Sequence, residues 1–280
     1  MIAERVGRRL GSPVASSAPL SGGSICRAFE MRLEDGRHLF AKQLDDAHPE
    51  LFGAEAESLR WLALAGSVPF PAVLESAPDL LVLSWAPSGE PGPAAAERFG
   101  HDLALLHRSG APGLGAAWPG FAGPILLDNA ARGNWPAFFA ETRILPCLRL
   151  ARDRGGVTAA EARAVERAVL RLPALAGAAE PPSRLHGDLW SGNLLWDRDR
   201  VWLVDPAAYG GNRETDLGLL RLFGAPHLER IVAAYEESWP LPPGWRERQG
   251  LHQLHPLLVH AALFGGGYGR WAAEVARAYG

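Results

Sequence analysis

The stretch that most restricts what this chain can fold into runs from Leu185 to Leu217, LHGDLWSGNLLWDRDRVWLVDPAAYGGNRETDL. Two short apolar runs, LLW and VWLV, flank the polar turn from Asp197 to Arg200, which reads as a β-hairpin. A loop holding Asp188 and Asn193, five residues apart, enters the hairpin, and Asp205 leaves it. A bare Asp-x4-Asn arises often by chance. With His-Gly in front and Asp-Pro behind a strand it is far rarer.

The bulk properties bound the rest. A chain of 280 residues and 30.1 kDa can bury a sizeable core as one large domain or two lobes. A net charge of −3 and a pI near 6.3 speak against nucleic acid or an anionic membrane as the main partner. No apolar run reaches the ~18 residues of a membrane-spanning helix. The basic N-terminus, MIAERVGRRLGSP, lacks the apolar core of a signal peptide. Cys26 and Cys147 form no metal-binding spacing. A cytoplasmic protein, monomeric or weakly dimeric, is expected. Of the 28 basic residues only Lys42 is lysine. A GC-rich genome accounts for that bias, yet the surviving lysine marks a position where the wider guanidinium fork would fail.

Along the chain, residues 1–12 predict a short helix. Leu20 to Glu30 is a Gly/Ser turn, and Met31 to Leu44 reads as two strands around Glu34-Asp35-Gly36, the second carrying Lys42. Pro49 to Leu64 has helical periodicity, and Leu80 to Trp85 is a buried strand followed by a Pro/Gly cluster. That cluster divides a β-rich lobe, residues 1–86, from a mainly helical lobe, residues 87–280. In the second lobe Ala94 to Arg108 reads as a helix, and 110–135 as irregular. Trp135 to Arg154 reads as a helix interrupted at Pro146. Thr158 and Glu161 form a capping-box signature. The class is α+β.

The candidate site residues follow. Asp188 suits a carboxylate that orients or accepts the proton of a substrate hydroxyl. Asn193 and Asp205 offer the hard oxygens that hold Mg²⁺ against the phosphates of ATP. Gly22, Gly23 and Ser24 are either a phosphate cradle or an ordinary turn. Lys42 would meet the α- and β-phosphates, and Glu55 would hold it by an ion pair; alone, Glu55 reads as a solvated helix face. Ser84, Trp85, Ala86 and Pro87 are either an adenine hinge or a plain linker. His186 is expected to hold loop backbone, and Asp216 to cap its helix or brace the loop. Trp190, inside the loop, belongs near substrate. His252, His255 and His260 are loosely grouped without a metal signature.

The segments LHGDLWSGN, DPAAYGGNRETDLGLLRLFG, SGGSICRAF and AEAESLRWL together resemble the fructosamine kinase (ketosamine 3-kinase) family, relatives of the aminoglycoside and choline phosphotransferases with a protein-kinase-like bilobal fold. The resemblance runs from about Leu20 to the C-terminal LFGGGYG. It implies an ATP- and Mg²⁺-dependent kinase acting on the 3-hydroxyl of ketosamines, free or on glycated proteins, with Tyr209 and Arg213 added to Trp190 as substrate-binding residues. It also implies that bacterial members favour ribulosamines and erythrulosamines, and that the 3-phosphate leads to deglycation. Some members carry a redox-active cysteine in the Gly-rich loop; here Ser24 stands in that place and Cys26 two residues on. The alternatives are a phosphotransferase acting on an aminoglycoside, choline or similar alcohol, and a non-catalytic nucleotide-binding protein.

Overall fold

The run LLVL at Leu80 to Leu83 is apolar at every position, so a strand there must be covered on both faces. The computed structural model describes residues 2–20, 26–46 and 48–280 and provides both covers. Helix α1 (Ile2–Leu10) precedes strands β1 (Val14–Leu20), β2 (Arg27–Leu33) and β3 (His38–Gln43); helix α2 (Leu51–Ala63) precedes β4 (Val73–Ala77) and β5 (Leu80–Ser84). The strands form one antiparallel sheet in the order β1–β2–β3–β5–β4.

Side chains alternate between the two faces. Leu39 and Ala41 of β3 join Leu80 and Val82 of β5 under Val6 of α1. Leu81 and Leu83 face the other way, with Phe40, and pack on Phe52, Ala56 and Leu59 of α2. Lys42, two residues past Phe40, is thereby aimed at α2. Strands β1 and β4 carry no pattern that announces them. Strand β1 is an edge strand exposed at its five central residues, so no alternation marks it.

The second lobe contains α3 (Pro93–Arg108), the hairpin β6 (Gly120–Ala122) and β7 (Ile125–Leu127), α4 (Trp135–Phe139), α5 (Leu145–Asp153) and α6 (Ala159–Leu175). Strands β8 (Ser183–Leu185), β9 (Leu194–Asp197), β10 (Arg200–Leu203) and β11 (Tyr209–Gly211) follow. Helices α7 (Glu214–Phe223), α8 (Leu228–Ser238), α9 (Trp245–Phe264) and α10 (Tyr268–Arg277) complete it. The stretch expected to be irregular thus holds a short hairpin. One core unites α3 and α8 through Phe99, Leu103, Ile231 and Tyr235 and also takes in Leu62 and Val68 of the first lobe. A second joins α5, α6, α9 and α10.

Two local features bear out their sequence signals. Thr158 and Glu161 cap α6 reciprocally, the Thr158 N–H donating to Glu161 Oε2 at 2.7 Å. Pro146, lacking an N–H, cannot bond the Thr142 carbonyl four residues back. The chain widens into a π-turn over Ala140–Ile144, and the Arg143 guanidinium donates to that carbonyl at 3.2 Å.

Candidate active site

Strand β8 delivers the loop 186–193, and β11 pairs back onto β8 with Tyr209 opposite Leu185. The catalytic loop and the segment after Asp205 therefore lie against each other. The Ala207 N–H donates to the His186 carbonyl at 3.0 Å. Gly187 has φ +82°, and a Cβ there would fall 2.1 Å from the Ala207 carbonyl oxygen. Only glycine fits this contact, which explains the residue between His186 and Asp188.

His186 is buried and organises the loop. Its Nε2–H donates to the Val204 carbonyl at 3.0 Å, and its Nδ1 accepts the Asp188 N–H at 3.3 Å. Burial lowers its pKa, so the ring is neutral. Asp216, in the first turn of α7, accepts the N–H groups of His186 at 2.7 Å and Gly187 at 3.0 Å, with His107 of α3 donating at 3.2 Å. Burial alone would raise the Asp216 pKa. The hydrogen bonds from His107 and the Gly187 N–H hold it below the ordinary carboxylate value. Asp216 braces the loop, as expected.

Asn193 turns its amide toward Asp188. Its Nδ2 donates to the Asp188 carbonyl at 2.8 Å and to Oδ2 at 3.1 Å, and no described residue bonds the amide oxygen, which leaves it for a cation. Burial pushes the Asp188 carboxyl up to about 7, the Asn193 bond opposing and the charges of Asp205 and Asp216 adding to the rise. A carboxylate held near neutrality is suited to accept a proton.

Across the cleft, Lys42 Nζ donates to Glu55 Oε1 and to Asp205 Oδ1, both at 2.7 Å. Burial disfavours the ammonium, but the Asp205 and Glu55 carboxylates outweigh it and raise the lysine pKa. Glu57 points away and pairs with Arg60 on the surface. Asp205 has φ +54° and its side chain is 48% exposed, so one carboxylate edge is open. A left-handed backbone at a non-glycine costs about 1–2 kcal/mol.

Helix α2 is fastened to the second lobe by residues the sequence did not single out. Ser58 Oγ, buried one turn after Glu55, accepts the Ala208 N–H at 3.2 Å and Trp118 Nε1–H at 3.1 Å. Arg184 bonds the Trp61 carbonyl and lies over the Trp61 ring at 4.5 Å. The helix carrying Glu55 and the loop carrying Asp205 are thus tied together.

At the hinge, Ser84 N–H bonds the Ala72 carbonyl and Trp85 N–H the His38 carbonyl. The Trp85 indole stacks on His38 at 4.3 Å instead of standing over a base. Ala86 and Pro87 follow; no described backbone bond takes the Ala86 N–H, which leaves that donor for a ligand. Gly22, Gly23 and Ser24 lie outside the described residues. Cys26 is half-buried, and burial raises its pKa, which makes a reactive thiolate harder to form.

Two expectations are corrected. Tyr209 is buried, its ring under the Arg143 guanidinium at 4.2 Å and packed with Phe138 and Leu185. Arg213 is buried too, its guanidinium bonding Glu180 at 2.7 and 3.0 Å and the Trp239 and Pro240 carbonyls. Both are architectural. Trp190 is 40% exposed beside the catalytic loop. His252, His255 and His260 separate, bonding Thr215, Cys147 and Pro256 respectively.

A carboxylate positioned by backbone, an amide and a carboxylate oxygen beside it, and a lysine-centred ion triad closing a cleft between a β lobe and a helical lobe define a kinase-type phosphotransferase of protein-kinase-like fold. An ADP-bound aminoglycoside phosphotransferase shares that fold at TM-score 0.62 and 14% identity, over 99% of this chain and 96% of the other. The family model for fructosamine kinase matches residues 1–279. A Thermobifida fusca crystal structure, provisionally named a fructosamine-3-kinase, is 47% identical with TM-score 0.95, covering 99% and 98% of the two chains. A Thermus thermophilus protein named as a probable ketoamine kinase is 37% identical over 250 residues, 89% of this chain and 88% of the other. The chain belongs to the fructosamine kinase family, and it is a phosphotransferase.

Proposed function

We propose that the enzyme transfers the γ-phosphoryl group of ATP to the 3-hydroxyl of a ketosamine, in the cytoplasm, as a step of deglycation. The observation that carries the phosphoryl-transfer part is the Asp188 carboxylate, held by the Asn193 amide, together with the Lys42–Glu55–Asp205 triad. The acceptor class rests on the names borne by the relatives.

Asp188 would take the hydroxyl proton as the acceptor oxygen bonds to the γ-phosphorus. The bond from that phosphorus to the β–γ bridging oxygen breaks, and ADP leaves. Lys42 would neutralise the α- and β-phosphates, and the Ala86 N–H would meet the adenine. The open edge of Asp205 and the amide oxygen of Asn193 form a hard-oxygen set that fits Mg²⁺. When bound there, Mg²⁺ would neutralise charge on the phosphates.

An aminoglycoside acceptor would call for an unpaired acidic cleft. Of the C-terminal acids that could supply one, Glu229 pairs with Arg221 at 3.1 Å and Glu236 with Arg246 at 3.0 Å. A coupled ATP-turnover assay comparing ribulosyl-lysine, fructosyl-lysine, choline and kanamycin decides between acceptors. Turnover of a ketosamine is expected; turnover of only choline or kanamycin would sink the ketosamine reading.

A further inference from the structure

A row of aromatic side chains runs from the catalytic loop to the last helix and has no part in the chemistry above. Trp190 meets Phe223 edge-on at 6.4 Å, and Phe223 lies 4.9 Å from the His260 ring. His260 is flanked by Phe264 at 5.5 Å and Tyr268 at 5.0 Å, and Tyr268 leads to Trp271 at 6.4 Å. The ends of α7 and α9 and the start of α10 build the row. Trp190, Phe264 and Trp271 are 40%, 60% and 39% exposed. Single exposed aromatics are ordinary; a contiguous row that starts two residues from Asp188 is not.

Two details mark it as a site for a ligand. The Trp190 indole lies over Gly192, where a Cβ would come within 2.3 Å of the ring, so the glycine fixes how Trp190 is presented. His260 Nδ1 lies 2.8 Å from the Pro256 carbonyl, which only accepts, so the ring proton is on Nδ1. Its Nε2 is then an acceptor, and no described residue bonds it. Burial lowers the His260 pKa, which keeps that lone pair available.

The geometry points to an acceptor subsite: the row takes a flat, apolar substituent carried on the amine nitrogen of the acceptor, and His260 Nε2 accepts a hydrogen bond from a donor on that substituent. The inference rests on the ketosamine reading. The reacting hydroxyl of a ketosamine is on C3 and its nitrogen on C1, so with the hydroxyl at Asp188 the substituent must leave over neighbouring surface. Trp190, two residues from Asp188 in the same loop, starts the aromatic row there.

The test compares the ribulosamines of methylamine, phenethylamine and tyramine in the wild type, in a Phe264→Ala/Trp271→Ala variant and in His260→Phe. The wild type should show a KM for the phenethylamine adduct roughly three- to tenfold below that of the methylamine adduct, the size of aromatic stacking. The double variant should lose this preference with methylamine-adduct turnover unchanged, which also reports a folded enzyme. His260→Phe should lose only the preference for tyramine over phenethylamine; a tyramine preference that survives overturns the hydrogen-bond assignment. Equal KM values in the wild type overturn the subsite. So does a double variant that alters oligomeric mass and leaves both acceptors alone, which would make the row a contact between copies. Calorimetric binding of phenethylamine itself separates the two readings. Binding lost in the double variant without turnover of any ketosamine would fail the acceptor reading and keep the subsite, whereas binding unchanged in the variant overturns it.

Discussion

Among the described residues, the charged side chain that the first lobe buries is Lys42 on β3, and its partners come from two places: Glu55 on α2 and Asp205 across the cleft. The second lobe buries a set of polar and charged groups behind its catalytic loop, among them His107, His186, Arg213, Glu214, Asp216, Arg248, His252 and His255. The first lobe is an apolar platform for one cation that ATP phosphates would share. The second is a prebuilt polar scaffold that fixes backbone before any ligand arrives. Substitutions behind the catalytic loop should therefore strike stability, and substitutions at Lys42 should strike nucleotide binding.

Asp216→Ala should show the largest effect. It strips the partner from the His186 and Gly187 N–H groups and from His107 in a dry site, at a cost of about 3–5 kcal/mol. Thermal melts would show it; an unchanged Tm would mean the scaffold is not what holds the loop.

Lys42→Met should reverse the pattern, with kcat/KM for ATP falling on the order of a hundredfold and a smaller loss of stability. Glu55 can take a proton when its partner leaves. Equal losses of stability for Lys42→Met and Asp216→Ala would erase the contrast between the lobes.

Ser58→Ala tests the tie between them. Two donors lose their acceptor, which costs about 1–3 kcal/mol, and the helix bearing Glu55 loosens from the loop bearing Asp205. The expected signature is a higher KM for ATP, with Ser58→Thr restoring it if the methyl is accommodated.

How much of this was legible in the sequence follows the range of the interactions. The catalytic loop, its hairpin and the cap of α6 are written within a few residues, so local spacing revealed them. Lys42 and Glu55 are thirteen residues apart and followed from one strand and one helix. Ser58 and Ala208 are 150 apart, and His107 and Asp216 are 109 apart, so no local pattern links them. Tyr209 and Arg213 were misplaced for the same reason. Their polarity near a motif is visible, but the Arg143 face and the Glu180 carboxylate that bury them are not.

Acid should also separate the lobes, by the smallest margin. Burial lowers the pKa of His186 and His252, and takes His255 down to about 3. A histidine depressed in the folded state contributes stability that is present above its unfolded pKa near 6.5 and is lost as pH falls toward the folded value. Going from pH 7.5 to 5.5 should cost about 1 kcal/mol for His255 alone. Urea melts at the two pH values check the sign; a protein more stable at pH 5.5 would contradict it.

The central claim is that Asp188 does proton chemistry at a site whose nucleotide grip lies elsewhere. The direct measurement is Asp188→Ala, assayed for turnover and for ATP binding by calorimetry. The account predicts a kcat reduced about a hundredfold or more with ATP affinity retained. Wild-type turnover, or loss of ATP binding in step with turnover, would contradict it.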